Sequence, residues 1–209
     1  MLRILIADDH SVVRKGLKQI LLEEFPSAII EDVPDAEEMI KKVMTARWDV
    51  VVSDMSMPGR SGLDALQQIK QIHPELPVLI LSIHPEEHYA LRVLKAGASG
   101  YLSKGSASDE LVKAVQTVLL GKKYISAAVA EKLASSFSAD SPKQAHELLS
   151  DREFDVMKLL ASGKSVSDIA DMLSLSVTTI STYRARIMAK MNLKTNSDLT
   201  KYAIESHLI

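Results

Sequence analysis

The first 125 residues alternate between two hydrophobic periods, and few folds accept that alternation. Apolar runs of four to six residues appear near 3–8, 28–33, 50–53, 78–82 and 100–103. Between them lie segments of helical spacing near 11–24, 35–46, 61–72, 86–96 and 108–120. Short unbroken apolar runs suit strands buried on both faces, and the helices between them suit crossover connections. Leu17, Ile20, Leu21 and Leu22 give the first helix one apolar side, and Leu111, Val112, Val115, Val118 and Leu119 do the same for the last. Gly97 and Gly121 stand where helices should stop, and Pro58, Pro74, Pro77 and Pro85 mark loops. Five such units predict an α/β, doubly wound, five-stranded parallel sheet. The commonest strand order, 2-1-3-4-5, makes strands 1 and 3 neighbours at the switch point.

The strand ends carry the chemistry. The first run ends on Asp8-Asp9, the second of interest on Asp54, the next on Ser82, and the last one residue short of Lys104. Parallel sheets gather ligands at the carboxyl ends of their strands, so these groups are expected in one pocket. Asp9 and Asp54 offer carboxylates to Mg²⁺, a hard cation that takes oxygen ligands, with Asp8 near enough to orient a water. An aspartate carboxylate is also a phosphoryl acceptor. Lys104 would neutralise charge on the phosphoryl oxygens, and Ser82 would hydrogen-bond one of them. Taken singly, each group has a plainer role: Asp-Asp after a strand is often a helix N-cap, and a lone lysine is usually solvated. Their convergence at four strand ends favours the site. His84 and His88 have a spacing that suits a metal, but no third ligand follows, and a solvated loop-to-helix face is the better reading.

Composition excludes several classes. There is no cysteine among the 209 residues, hence no disulfide, thiolate metal site or cysteine nucleophile. No run approaches the roughly 18 apolar residues needed to cross a bilayer. The first residues lead directly into a strand, without a signal-peptide pattern, so a cytoplasmic location is expected, with no membrane partner. Net charge is −2, which hides an asymmetry: residues 176–209 hold five bases against two acids, whereas residues 147–175 hold six acids against three bases.

After residue 125 the pattern changes. Residues 126–147 read as a short helix followed by a small, polar linker containing Pro142. Residues 148–209 show four helical patterns and no clear strand, predicting a second, all-α domain. Ser150 with Glu153 forms a capping box ahead of Phe154, Val156, Met157, Leu159 and Leu160. The stretch from Val166 to Ile180 reads as helix, turn, helix. The helix over 178–191 would turn Ile180, Ile187, Met188 and Met191 to the core, leaving Ser181, Thr182, Arg184, Ala185 and Arg186 mostly outside. Such a helix presents short polar and basic groups as a DNA recognition helix does; an ordinary amphipathic helix with a solvated basic face is the alternative.

Both halves resemble known families. Asp8-Asp9, Asp54-Met-Ser-Met-Pro58-Gly59 with Gly62, Ser82, and Gly100-Tyr101-Leu-Ser-Lys104 resemble the receiver domain of bacterial response regulators. Leu149-Ser-Asp-Arg-Glu153, Leu159-Leu-Ala-Ser-Gly163, Asp168-Ile-Ala170, Leu173-Ser-Leu-Ser176 and Thr179-Ile180 resemble the LuxR-type DNA-binding domain. Together the chain is similar to response regulators of the NarL/FixJ class, over nearly everything except about 126–147. The expected fold is therefore a flavodoxin-like receiver over 1–125, a short helix and linker over 126–147, and a helix-turn-helix domain over 148–209.

The resemblance implies that Asp54 accepts a phosphoryl group from a sensor histidine kinase. Asp8, Asp9, Asp54 and the backbone carbonyl of Ser56 would arrange Mg²⁺. Ser82 would be the switch hydroxyl, Tyr101 the rotating aromatic and Lys104 the phosphate partner. Phosphorylation would favour a homodimer on promoter DNA, and the protein would be a transcription regulator with at most slow self-dephosphorylation, not an enzyme. Base-reading positions would fall near Ser181, Thr182 and Ala185. Phosphate contacts would fall near Lys164, Thr178, Thr179, Arg186, Lys190 and Lys194. Three departures stand out. Ile83 is bulky where many receivers carry a small residue, family members often have Lys at 181 and 185, and they often have His at 183. Two other classes compete with this reading. An aspartyl-phosphate phosphotransferase or phosphatase usually wants a second Asp at position 56, where Ser stands. A receiver whose helical tail binds protein instead of DNA would lack salt-dependent duplex binding.

Overall fold

Strands form wherever the apolar runs stand. A computed structural model of the chain describes residues 1–84, 86–127, 129–131 and 144–209, without the side chains of Glu87 and His88. Pro85 and the linker stretch 132–143 lie outside the described residues. The chain divides into two units, Met1–Phe137 and Ser138–Ile209. No helix among the described residues is long and apolar enough to cross a membrane.

The first unit holds β1 (Arg3–Ala7), α1 (Ser11–Glu24), β2 (Ile29–Val33), α2 (Ala36–Thr45), β3 (Val50–Asp54), α3 (Gly62–Ile72), β4 (Val78–Ser82), α4 (Glu86–Lys95), β5 (Gly100–Ser103) and α5 (Ala107–Leu119). All strand pairs are parallel, in the order β2-β1-β3-β4-β5. The three inner strands are all but fully enclosed, which is why they read as unbroken apolar runs, while edge strand β2 alternates. Ile4, Ile6, Val50, Val52, Leu79 and Leu81 meet Leu17 and Leu21 of α1 and Leu111, Val115 and Val118 of α5 in one core. Leu5, Val51 and Ile80 are equally buried and belong to the opposite face. Gly97 and Gly121 follow α4 and α5 with φ of 103° and 74°, the left-handed backbone that ends a helix without strain only at glycine.

The second unit begins with a 3₁₀ turn, Ala145–Leu148, where the sequence pattern suggested linker. Tertiary contacts fix that turn: the His146 ring lies 2.9 Å from the Tyr202 hydroxyl and 5.7 Å from the Phe154 ring. Four helices follow: α6 (Asp151–Ala161), α7 (Val166–Leu173), α8 (Val177–Met191) and α9 (Asn196–Glu205). Each starts on a hydroxyl that accepts a backbone N–H three residues on, at Ser150, Ser165, Ser176 and Thr195. In three of them an acid returns the bond, so Ser150–Glu153 is one capping box of three. Phe154, Met157, Leu160, Ile169, Ile180, Ile187 and Leu199 form the core. Met188, expected inside, is only half-buried.

Candidate functional site

The parallel register brings the phosphate-suited residues to one end of the sheet. Ala7 pairs with Ser53, Asp54 with Leu81, and Ser82 with Ser103. Asp8 and Lys104 therefore follow their strands directly beside Asp54 and Ser82. Asp8, Asp54 and Ser82 are buried, and Asp9 is half-buried. The Lys104 ammonium bridges Asp8 Oδ2 and Asp54 Oδ2, at 2.8 Å from each. Its backbone N–H is held by the Ser82 carbonyl at 2.8 Å, which fixes where the side chain starts.

Burial sets the electrostatics. Withdrawal from water pushes the Asp54 carboxyl above the usual aspartate range, with Asp8 adding to the rise, although Lys104 and the Ser56 N–H pull it down. Burial also acts against the Lys104 ammonium, but hydrogen bonds and charge from Asp54 and Asp8 outweigh it and hold its pKa above the ordinary lysine value. Asp54 Oδ1 accepts the Ser56 N–H at 3.2 Å, so both carboxylate oxygens are oriented.

The loop after β3 presses against Asp54. Gly62 N–H donates to the Met55 carbonyl at 3.0 Å. A methyl added at Gly62 would overlap the Asp54 carbonyl oxygen, so this approach requires glycine. Opposite, the loop after β4 is organised by Ser82, whose Oγ accepts the His84 N–H at 3.0 Å. Tyr101 is buried, and its hydroxyl donates to the His84 carbonyl at 2.8 Å. The aromatic expected to turn inward thus already lies inside in this conformation. Ile83 is 74 % exposed, whereas Asp8 and Asp54 are buried.

Two contacts had not been anticipated. His10, directly after Asp8-Asp9, places its Nδ1 2.8 Å from Asp9 Oδ1, and its N–H donates to Asp8 Oδ1 at 2.8 Å. The unbroken Asp-Asp-His run was the available signal. His84, read as a solvated loop histidine, is half-buried: its ring stacks on Tyr89 at 4.8 Å between centroids, and its Nε2 lies 3.4 Å from Ser56 Oγ. Nothing in the spacing of residues 56 and 84 could show that pairing. The side chain of His88 lies outside the described residues.

The donors suit a divalent cation. Ligand atoms of Asp8, Asp9, His10 and Asp54 all lie within 4.8 Å of one another. The enclosed Asp9 Oδ1 has no donor in good hydrogen-bond geometry among the described residues, although the His10 ring is close. An oxygen-rich pocket of clustered carboxylates is what Mg²⁺ would complete.

In the second unit, α8 buries Ile180, Ile187 and Met191 and exposes Thr178, Ser181, Thr182, Ala185 and Arg186, with Thr179 half-buried. Lys164 and Lys194 are exposed on neighbouring loops. Two basic residues are already engaged. Arg184 Nε donates to Asn196 Oδ1 at 2.9 Å, and Lys190 lies 2.6 Å from Glu153, whose side chain is only 3 % exposed. Burial alone would raise the Glu153 carboxyl; Lys190 and the Ser150 donors outweigh it and hold it below the usual range.

Comparison with known proteins agrees with this geometry. Residues 4–116 match the response regulator receiver domain, and residues 147–203 match the bacterial regulatory proteins of the luxR family. The chain is 34 % identical over 209 residues to the response regulator UvrY of Escherichia coli strain K12, covering all of this chain and 96 % of that protein. It is 36 % identical over 216 residues to the oxygen regulatory protein NreC of Staphylococcus epidermidis, covering all of this chain and 99 % of that one. Among solved structures, RcsB from Salmonella enterica serovar Typhimurium, bound to promoter rprA with phosphomimetic BeF₃⁻, aligns with a TM-score of 0.62 and 26 % identity over 97 % of this chain and 98 % of that one. A receiver with an acidic pocket at its sheet end and a LuxR-type helix-turn-helix unit therefore sit in one polypeptide, and the chain belongs to the response regulators of the NarL/FixJ class.

Proposed function

We propose that Asp54 is the phosphoacceptor of a two-component pathway, taking its phosphoryl group from a sensor histidine kinase in a Mg²⁺-dependent step. The observation that carries this reading is the Lys104 ammonium, 2.8 Å from both Asp54 and Asp8 within a buried pocket. An Asp54 oxygen attacks phosphorus as the bond to the kinase nitrogen breaks, giving an acyl phosphate. Lys104 then has phosphoryl oxygens to neutralise in place of a bare carboxylate, and the Ser82 hydroxyl proton has an acceptor. Asp8, Asp9, Asp54 and the Ser56 carbonyl would hold Mg²⁺, which when bound offsets negative charge on the transferred group.

In this proposal residues 1–125 are the receiver, 126–147 a short helix and linker, and 148–209 the DNA-binding domain. The modification adds charge and acceptor oxygens to an enclosed site. It draws Ser82 and Lys104 toward the phosphoryl group and fixes Tyr101 inside. The receiver surface that results favours a homodimer. One recognition helix reads few base pairs, so two-fold pairing on promoter half-sites is the expected output. Ser181, Thr182 and Ala185 would face bases, and Lys164, Thr178, Thr179, Arg186 and Lys194 would face phosphates. Lys190 joins them only as far as Glu153 releases it. DNA output places the protein in the cytoplasm. Labelling with radioactive acetyl phosphate tests the assignment: wild type should take up label in Mg²⁺ and lose it in excess chelator, and Asp54→Asn should take up none. Equal labelling of the variant would refute it.

A further inference from the structure

We infer that the recognition helix reads thymine methyl groups, a specificity that rests on the DNA-binding reading above. Ile180, Ile187 and Met191 define the buried side of α8. At 3.6 residues per turn, the opposite side is centred on Thr178, Thr182, Ala185 and Ala189, all exposed. Guanine is read in the major groove by donors from arginine or lysine, and adenine by the paired donor and acceptor of asparagine or glutamine. No such side chain stands at the centre of this face.

Hydrogen bonding narrows the choice further. The Thr182 hydroxyl donates to the Thr178 carbonyl at 2.9 Å, so it is turned back along the helix. The γ-methyl is then what Thr182 offers outward. Ala185 has a methyl and nothing else. Arg184, next in sequence, is held by Asn196 at 2.9 Å and lies toward the core side of the helix. Two of the three proposed base-facing residues therefore present carbon. The feature of the groove that matches carbon is the C5-methyl of thymine. Short side chains also let the helix backbone approach the groove floor closely enough for methyl contact.

The test uses the full chain and duplex DNA. Selection from random duplexes should yield half-sites with thymine at the base pairs under Thr182 and Ala185. Replacing each of those thymines by uracil, which removes only the methyl, should weaken binding about fourfold, the factor for losing one buried methyl-sized group. Thr182→Ser keeps the hydroxyl and removes the methyl, so its thymine-to-uracil ratio at that position should fall to about one, in proportion to the same group. Ala185→Lys, on an exposed position that leaves the fold intact, should move the selected base to guanine. Guanine at these positions in wild-type sites, or equal binding of thymine and uracil duplexes, would overturn the inference and leave DNA binding standing. Failure to select any duplex at low salt would overturn both.

Discussion

Lys104 is the cation that lets Asp8 and Asp54 share a buried pocket, and its removal leaves Asp54, among the described residues, without its lysine partner at 2.8 Å. Breaking a buried pair from one side costs about 3 kcal/mol. Lys104→Met should accordingly lower the thermal midpoint of the first unit in chelator, and Mg²⁺ should recover part of the loss because it binds the native site. Calorimetry with and without Mg²⁺ checks both. Asp54 gives the opposite sign. Its folded pKa is raised, chiefly by burial, so its contribution to stability is fully present below the unfolded carboxylate value and is lost as pH rises through the folded pKa. Asp54→Asn should therefore gain stability over wild type in metal-free buffer at neutral pH. That gain should shrink as pH falls toward 3 and the wild-type carboxyl takes up its proton. Urea titrations of both proteins across that range would show it; a gain independent of pH would mean that burial does not act through the ionised carboxylate.

Elements succeed or fail according to whether their cause is local. The strands and helices of the first unit are legible because each run carries its own period, and the strand order found is the commonest one for five such units. The 3₁₀ turn at Ala145–Leu148 is not, because a residue far along the chain, Tyr202, helps hold it, together with Phe154. The same division applies to the site: Asp8, Asp9, Asp54, Ser82 and Lys104 are visible as strand ends, whereas the contact of Ser56 with His84 depends on how two loops meet. Helices α6 and α8 add a contact that the charge pattern does not show. Lys190, proposed as a phosphate contact, also lies 2.6 Å from the enclosed Glu153. Lys190→Met should cost the second unit about 1.5 kcal/mol at pH 7, the low end for a hydrogen bond to a charged group because Lys190 itself is partly exposed. Glu153 has a depressed folded pKa, so this contribution is present above the usual glutamate value and is lost as pH falls through the folded one. The penalty should fade in acid. If it persists undiminished at low pH, the stem of Lys190, and not its charge, is what stabilises α8 against α6.

At the scale of the whole molecule, the net charge of −2 conceals a basic carboxyl-terminal segment, and in the proposed function that segment meets DNA. Phosphate contacts release counterions, so duplex affinity should fall with salt on a log–log plot with a slope of several units. Arg186→Ala should weaken binding alike on all sequences and reduce that slope by about one; a loss confined to a single sequence would make Arg186 a base reader instead. Family membership was legible in the sequence because motifs at both ends coincide with the two domains. The coupling proposed between the receiver and the helix-turn-helix unit was not, since it is an equilibrium between states and not a local pattern of residues. A modification shifts such an equilibrium only by its different interaction with the two states, and a hundredfold shift requires about 2.7 kcal/mol. The most direct measurement is the affinity of the full chain for its selected duplex, with and without acetyl phosphate in Mg²⁺, for wild type and Asp54→Asn. Wild type should bind at least about tenfold more tightly when phosphorylated, equivalent to 1.4 kcal/mol, and Asp54→Asn should not respond. An equal gain in the variant, or no gain in a fully phosphorylated wild type, would contradict the account of Asp54 as the switch that controls DNA binding.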